Sequence, residues 1–127
     1  MATQFEQMVE EARRNVREVS AAEAKEMLDG DASAVIVDVR EVNEWDLGHI
    51  PGAIHVPLGQ LGPRADSSSP NADPDLTGRA DMLVVAHCAT GKRSILAADL
   101  LQKLGYRNVV SIRGGFVSWA REGLPID

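Results

Sequence analysis

Apolar residues along this chain recur with two distinct periods. Phe5, Met8, Val9 and Ala12 fall at i, i+3, i+4 and i+7, with Glu6, Gln7, Glu10, Glu11, Arg13 and Arg14 between them, and this spacing predicts an amphipathic N-terminal helix. Ser20 followed three residues later by Glu23 is a capping-box pattern for a second helix through Leu28, with Gly30 as its stop. Asn15 to Ser20, between the two, is expected as a short strand or an extended linker. Ala34 to Val39, Met82 to Ala86 and Val109 to Ile112 are short, continuous runs rich in β-branched residues, as strands covered on both faces of a parallel sheet require. Ala53 to Val56 is a weaker fourth strand. Ser94 to Leu104 has the wide apolar face of a packed helix, and Gly105 is placed to be its C′ residue.

The recurring order of strand, loop, helix and strand predicts an α/β fold, an open, mostly parallel five-stranded sheet with helices on both faces. Gly59 to Ala80 departs from this order. Gly, Pro, Ser and Asp dominate it and neither period survives, so it is expected to be one long loop, either a lid beside the active site or a surface excursion. The 127 residues suit one domain, read as a helical extension over 1–15 and a domain over 16–127. The extension is expected to pack on its own domain, with a dimer contact or a partner dock as alternatives.

Composition narrows the function classes. With 44% hydrophobic and 25% charged residues the chain reads as a soluble globular protein. Apolar runs are only a few residues long and Met1 to Glu11 is acidic and polar, so neither a membrane span nor a signal peptide is expected. A net charge of −6, with thirteen Lys and Arg scattered along the chain, argues against a nucleic-acid footprint. Any anion must then be held by a local feature. The single cysteine, Cys88, cannot close an intramolecular disulfide, and with no signal peptide expected this points to a reducing, cytoplasmic location.

Cys88 is also where chemistry is expected. It follows the strand ending at Ala86 and precedes the helix at Ser94, which places it at the carboxyl edge of the sheet, where open α/β folds bind ligands. A free cysteine is often mere core filler. Here, however, Ala89, Thr90, Gly91, Lys92, Arg93 and Ser94 form a short, polar loop whose backbone N–H groups can point inward as an anion cradle. A helix N-terminus and the cations of Lys92 and Arg93 favour the thiolate, the reactive form of a thiol. Asp38 and Arg40 end a buried strand nearby. Asp38 is expected to pair with Arg93 and Arg40 with Glu44, holding the loop in shape, while contact of Arg40 with an anionic donor is the functional alternative. His49 is expected to bond nearby backbone, and His87, adjacent to Cys88 on a strand, to face the other way. The three histidines lack metal-ligand spacing, so no metal or organic cofactor is implied. Phe116 and Trp119, three apart on a helix, read as core packing.

Four segments occur in sequence: Val37-Asp38-Val39-Arg40-Glu41 with Glu44 and Trp45, Gly48-His49-Ile50-Pro51-Gly52-Ala53, Cys88 to Ser94, and Gly114-Gly115-Phe116 with Trp119. Over roughly Ser20 to Ile126 the chain thereby resembles the rhodanese-like domain sulfurtransferase family, in its single-domain form. The resemblance implies that Cys88 carries sulfur as a persulfide and that the N–H groups of Ala89 through Ser94 bind it. It also implies a small-molecule donor, thiosulfate or a persulfide, and a thiol or cyanide acceptor. Related phosphatases of the cell-cycle type and arsenate reductases use a loop one residue longer, with an arginine six positions after the cysteine. Here that position is Ser94 and Arg93 lies five positions on, a loop sized for sulfur rather than for tetrahedral phosphate. The family also contains inactive regulatory modules, usually with the cysteine replaced. The alternative reading is therefore a non-catalytic module that binds a partner or senses oxidants.

Overall fold

Strand alternation organises the whole molecule. In the computed structural model, which describes residues 2–78 and 80–127, five strands pair in the order β1-β5-β4-β2-β3 and every pairing is parallel. They are β1 (Arg17–Val19), β2 (Val35–Asp38), β3 (Ile54–His55), β4 (Leu83–His87) and β5 (Asn108–Ile112). The helices among the described residues are α1 (Gln4–Arg13), α2 (Ala21–Asp29), α3 (Val42–Asp46), α4 (Leu58–Ala65), α5 (Arg93–Lys103) and α6 (Gly115–Arg121). The expected five-stranded α/β sheet is therefore present, and it is parallel throughout.

Successive strand residues point to opposite faces, so each strand feeds two cores. Val37, Val39, Val84 and Val109 meet Leu61 and Ala65 of α4 and Ala97, Ala98 and Leu101 of α5 on one face. Ile36, Val85, Val110 and Ile112 meet Ala21 and Ala24 of α2 and Trp119 of α6 on the other. Cys88 belongs to the α4/α5 face. α2 carries the expected capping box, with Ser20 Oγ accepting from Glu23 N–H and the Glu23 carboxylate accepting from Ser20 N–H. α1 packs on its own domain, Val9 and Ala12 meeting Ile95 of α5. Met1, at the head of the 1–15 extension, and Arg79, within 59–80, lie outside the described residues.

The segment expected as a loop over 59–80 is partly helix, a correction with a clear cause. Leu58, Leu61 and Ala65 sit at i, i+3 and i+7, and Leu61 and Ala65 are buried against α5 even though Gly59, Gly62 and Pro63 lower the helix propensity of α4. Burial of one face outweighs propensity here. Beyond α4, Leu76 is fully buried, and Arg64 is ion-paired to Asp73 at 2.8 Å and donates to His55 O at 3.1 Å. Tyr106 Oη lies within hydrogen-bond reach of the carbonyls of Ala65, at 2.8 Å, and Leu76, at 3.1 Å. Tyr106→Phe leaves these carbonyls without that donor, and is expected to cost about 1–2 kcal/mol and to speed amide exchange over 66–78 first. Unchanged exchange there, measured by mass spectrometry, would mean that the hydroxyl does not hold the segment.

Candidate active site

Cys88 follows β4 directly, and β4 lies between β2 and β5, so the thiol emerges at the carboxyl edge in the middle of the sheet. The next residues turn into α5, and Gly91, at φ +100°, allows that turn. A Cβ there would stand 3.0 Å from Gly114 N. The turn brings Gly91 N–H to 3.1 Å from Cys88 Sγ and Ser94 N–H to 3.4 Å. Ser94 Oγ lies 3.6 Å from the same sulfur, and Cys88 is 1% exposed. These donors, at the N-terminal end of an eleven-residue helix, favour a negative charge on sulfur. Of the loop N–H groups expected to bind the sulfur, those of Gly91 and Ser94 reach Sγ, while those of Ala89, Thr90, Lys92 and Arg93 make no hydrogen bond to it.

The rear of the loop is held by α6. Phe116 N–H donates to Cys88 O at 2.8 Å and Val117 N–H to Ala89 O at 3.1 Å. This approach requires Gly115, whose φ is +56° and where a Cβ would stand 2.4 Å from Cys88 O and 2.7 Å from Ala89 O. Trp119 is buried as expected, and Phe116 carries the Arg40 guanidinium 4.3 Å above its ring. The Gly-Gly-Phe segment thus buttresses the cysteine loop.

The charged residues pair otherwise than expected. Arg40 and Asp38 bond each other, with Arg40 Nη2 at 2.8 Å and Nε at 3.0 Å from the carboxylate, and Arg40 also donates to Gly48 O at 2.7 Å. Arg93 forms a two-pronged pair with Glu44, at 2.7 and 2.9 Å. The reason is strand alternation. Asp38 is in register with His87 on the α2/α6 face, away from α5 and Arg93, whereas Glu44 on α3 lies across the loop from Arg93. Arg40, buried and doubly bonded, joins the end of β2 to the Gly48 turn and to α6, which is a supporting role.

Burial is the largest single influence on the Asp38 carboxyl and pushes it up, but the hydrogen bonds from Arg40, the nearby His87 and the Arg40 charge together hold it below its usual range. His87 does face away from Cys88, as alternation required. Its Nδ1 lies 3.3 Å from Cys88 O, and Nε2, 3.6 Å from the Asp38 carboxylate, has no hydrogen-bond partner among the described residues. Burial pushes the imidazole below its ordinary value of 6.5, so it is neutral at pH 7. His49 Nδ1 bonds Trp45 O at 3.2 Å, and its ring stacks on Trp45 at 3.6 Å. No group of three or more His, Cys, Asp or Glu among the described residues could hold a metal ion. No helix among them is long and apolar enough to cross a membrane.

Glu44 makes the site's acid response predictable. The hydrogen bonds from Arg93 bring its carboxyl down from the ordinary 4.5 to about 2. A carboxyl with a depressed value in the folded state contributes stability that is full above 4.5 and is lost as pH falls toward 2. Urea unfolding over this range is expected to show stability falling more steeply with acid for the wild type than for Glu44→Gln. Equal slopes would mean that the pair does not contribute.

The two pairing errors have different sources. Alternation, which placed His87 correctly, also places Asp38 on the far face, so the sequence held the signal for one of them. Glu44 with Arg93 joins residues far apart in sequence, and no local pattern reports it. Ser111, a fully buried polar residue on β5, was missed as a site residue, and its only sequence signal is a hydroxyl inside an apolar strand.

The rhodanese-like domain profile matches residues 20–122. Among similar proteins, a sulfurtransferase of Allochromatium vinosum is 32% identical over 111 residues, covering 87% of this chain and 94% of that protein. Bacillus subtilis YrkF, named as a candidate sulfur carrier protein, is 32% identical over 105 residues, or 83% of this chain. The chain spans only about half of YrkF, 51% of its length. A solved structure from Rhodopseudomonas palustris, of unknown function and described as a possible tyrosine phosphatase, superposes with a TM-score of 0.90 at 34% identity, covering 100% of this chain and 96% of that one. With the cysteine loop, the buttressing Gly-Gly-Phe segment and strands β2 to β5 that join them all lying within the matched residues, the chain belongs to the rhodanese-like domain family, whose members similar to it include named sulfurtransferases.

Proposed function

We propose that this protein is a sulfane sulfurtransferase that works through a persulfide on Cys88. The observation that carries the reading is the convergence of Gly91 N–H and Ser94 N–H on a sulfur at the floor of a short loop that opens a helix. The Cys88 thiolate attacks the outer sulfur of thiosulfate. A new S–S bond forms at Cys88, the S–S bond of thiosulfate breaks, and sulfite leaves with the bonding pair. Gly91, Ser94 and the remaining loop N–H groups stabilise the negative charge as it moves to the outer sulfur. Cyanide, or an acceptor thiolate attacking the protonated persulfide, then takes the outer sulfur and returns Cys88 as thiolate. An organic persulfide serves as donor in the same way, a thiolate leaving in place of sulfite. No metal or organic cofactor has a step in this scheme.

Charge supports a slender, weakly held donor. Arg93 is neutralised by Glu44, which leaves Lys92 as the loop cation without a carboxylate partner among the described residues. Phosphate-ester cleavage is disfavoured, because the loop arginine is bound to Glu44 and lies five positions after Cys88, a shorter loop than one that encloses a tetrahedral phosphate. Mass spectrometry after incubation with thiosulfate, and separately with an organic persulfide, is expected to show a gain of one sulfur atom on Cys88. No gain with either donor would favour a module that binds or senses without transferring sulfur.

A further inference from the structure

Ser111 is a buried polar residue that the catalytic scheme does not use. It stands in the apolar run of β5, fully buried, in register with Ala86 of β4 and on the α5 side of the sheet. A hydroxyl removed from water must find a partner or destabilise the fold. Ser111 Oγ donates to Ser94 Oγ at 2.8 Å, and Ser94 Oγ lies 3.6 Å from Cys88 Sγ. Ser94 is fully buried as well, so the two hydroxyls form a dry chain that ends at the sulfur.

We propose that Ser111 is a positioning residue for the sulfur chemistry, its hydroxyl occupying a lone pair of Ser94 Oγ and so turning the Ser94 proton toward Cys88 Sγ. When Cys88 is a thiol, its S–H points to Ser94 Oγ, as the contact stands. When the proton leaves, the Ser94 O–H turns to the thiolate and becomes a third donor beside Gly91 N–H and Ser94 N–H. Without Ser111 the Ser94 hydroxyl, in the first turn of α5, is free to rotate its proton away from the sulfur. The low dielectric of the buried site makes the orientation of one dipole count for more than it would in water. Ser111 touches neither donor nor acceptor and acts through Ser94.

The inference rests on Cys88 as the sulfur carrier, but its test does not. Cys88 is the only cysteine, so the ultraviolet absorbance of the thiolate titrates this one group without any donor present. Ser111→Ala is expected to raise the apparent thiol pKa by about 0.5–1 unit, a roughly three- to ten-fold loss of thiolate at a pH below it. Ser111→Thr, which keeps the hydroxyl, is expected to titrate as wild type, a rescue that a packing role would not give. In a Ser94→Ala background, Ser111→Ala is expected to add nothing, because its effect passes through the Ser94 hydroxyl. An unshifted titration in Ser111→Ala, or an equal shift in both backgrounds, would overturn the proposal. Persulfide formation is measured separately on the wild type. Its absence there would count against the sulfurtransferase reading and leave the titration result standing.

Discussion

Cys88→Ser is expected to reduce sulfur transfer from thiosulfate to cyanide by on the order of 10³-fold or more while the protein stays folded, because the substitution removes the nucleophile and little else. A serine hydroxyl is shorter and is not ionised at neutral pH, so neither half of the transfer has a carrier. The fold is insulated from the change. Cys88 Sγ contributes acceptor interactions to Gly91 and Ser94 N–H, and a serine oxygen can accept from the same groups. Thermal unfolding within a few degrees of wild type, together with lost transfer, is the expected pair of results. Transfer retained near the wild-type rate in Cys88→Ser would end the case for Cys88 as the carrier.

The second large effect is expected at Gly115. In Gly115→Ala the added methyl would stand 2.4 Å from Cys88 O, 2.7 Å from Ala89 O and 2.8 Å from Ala89 C, all of them backbone atoms with no rotamer to escape through. The residue must also hold a φ of +56°, which costs an alanine roughly 1 kcal/mol before any clash. Relief requires α6 to move away from the cysteine loop, which breaks the bonds from Phe116 and Val117 N–H to the carbonyls of Cys88 and Ala89. A stability loss of about 2–4 kcal/mol is expected, with a fall in transfer rate among the molecules that remain folded. Gly59→Ala is the control. An added methyl there meets nothing within 4 Å, and alanine is a better helix former than glycine, so stability should hold or rise. If denaturant unfolding found the two variants equally stable, α6 would not be the buttress described here.

These expectations draw unequally on what was legible in the chain. The helices α1, α2 and α5 and the strands β2, β4 and β5 were readable because each carries its own period, reinforced in α2 by the Ser20–Glu23 box. α4 was not readable, since Gly59, Gly62 and Pro63 argue against a helix and only packing of Leu61 and Ala65 on α5 overrides them. The cysteine loop was legible by type and length. Its support was not, because the bonds from α6 to the loop carbonyls are formed by backbone groups that any residue possesses.

By itself the sequence determined the class of fold, the place of Cys88 at the carboxyl end of a strand and the size of its loop, because period, caps and residue counts are local properties. Strand alternation puts Asp38 and Arg40 on one face, but the tertiary structure alone decided the long-range contacts. Arg93 bonds Glu44 and Ser111 reaches Ser94, each across distances that depend on which elements the fold brings together. That difference sharpens the reading of Cys88 from a thiol beside two free cations to a sulfur held mainly by neutral donors, two backbone N–H groups with a serine hydroxyl beside them, because long-range packing had already given one of those cations to a carboxylate.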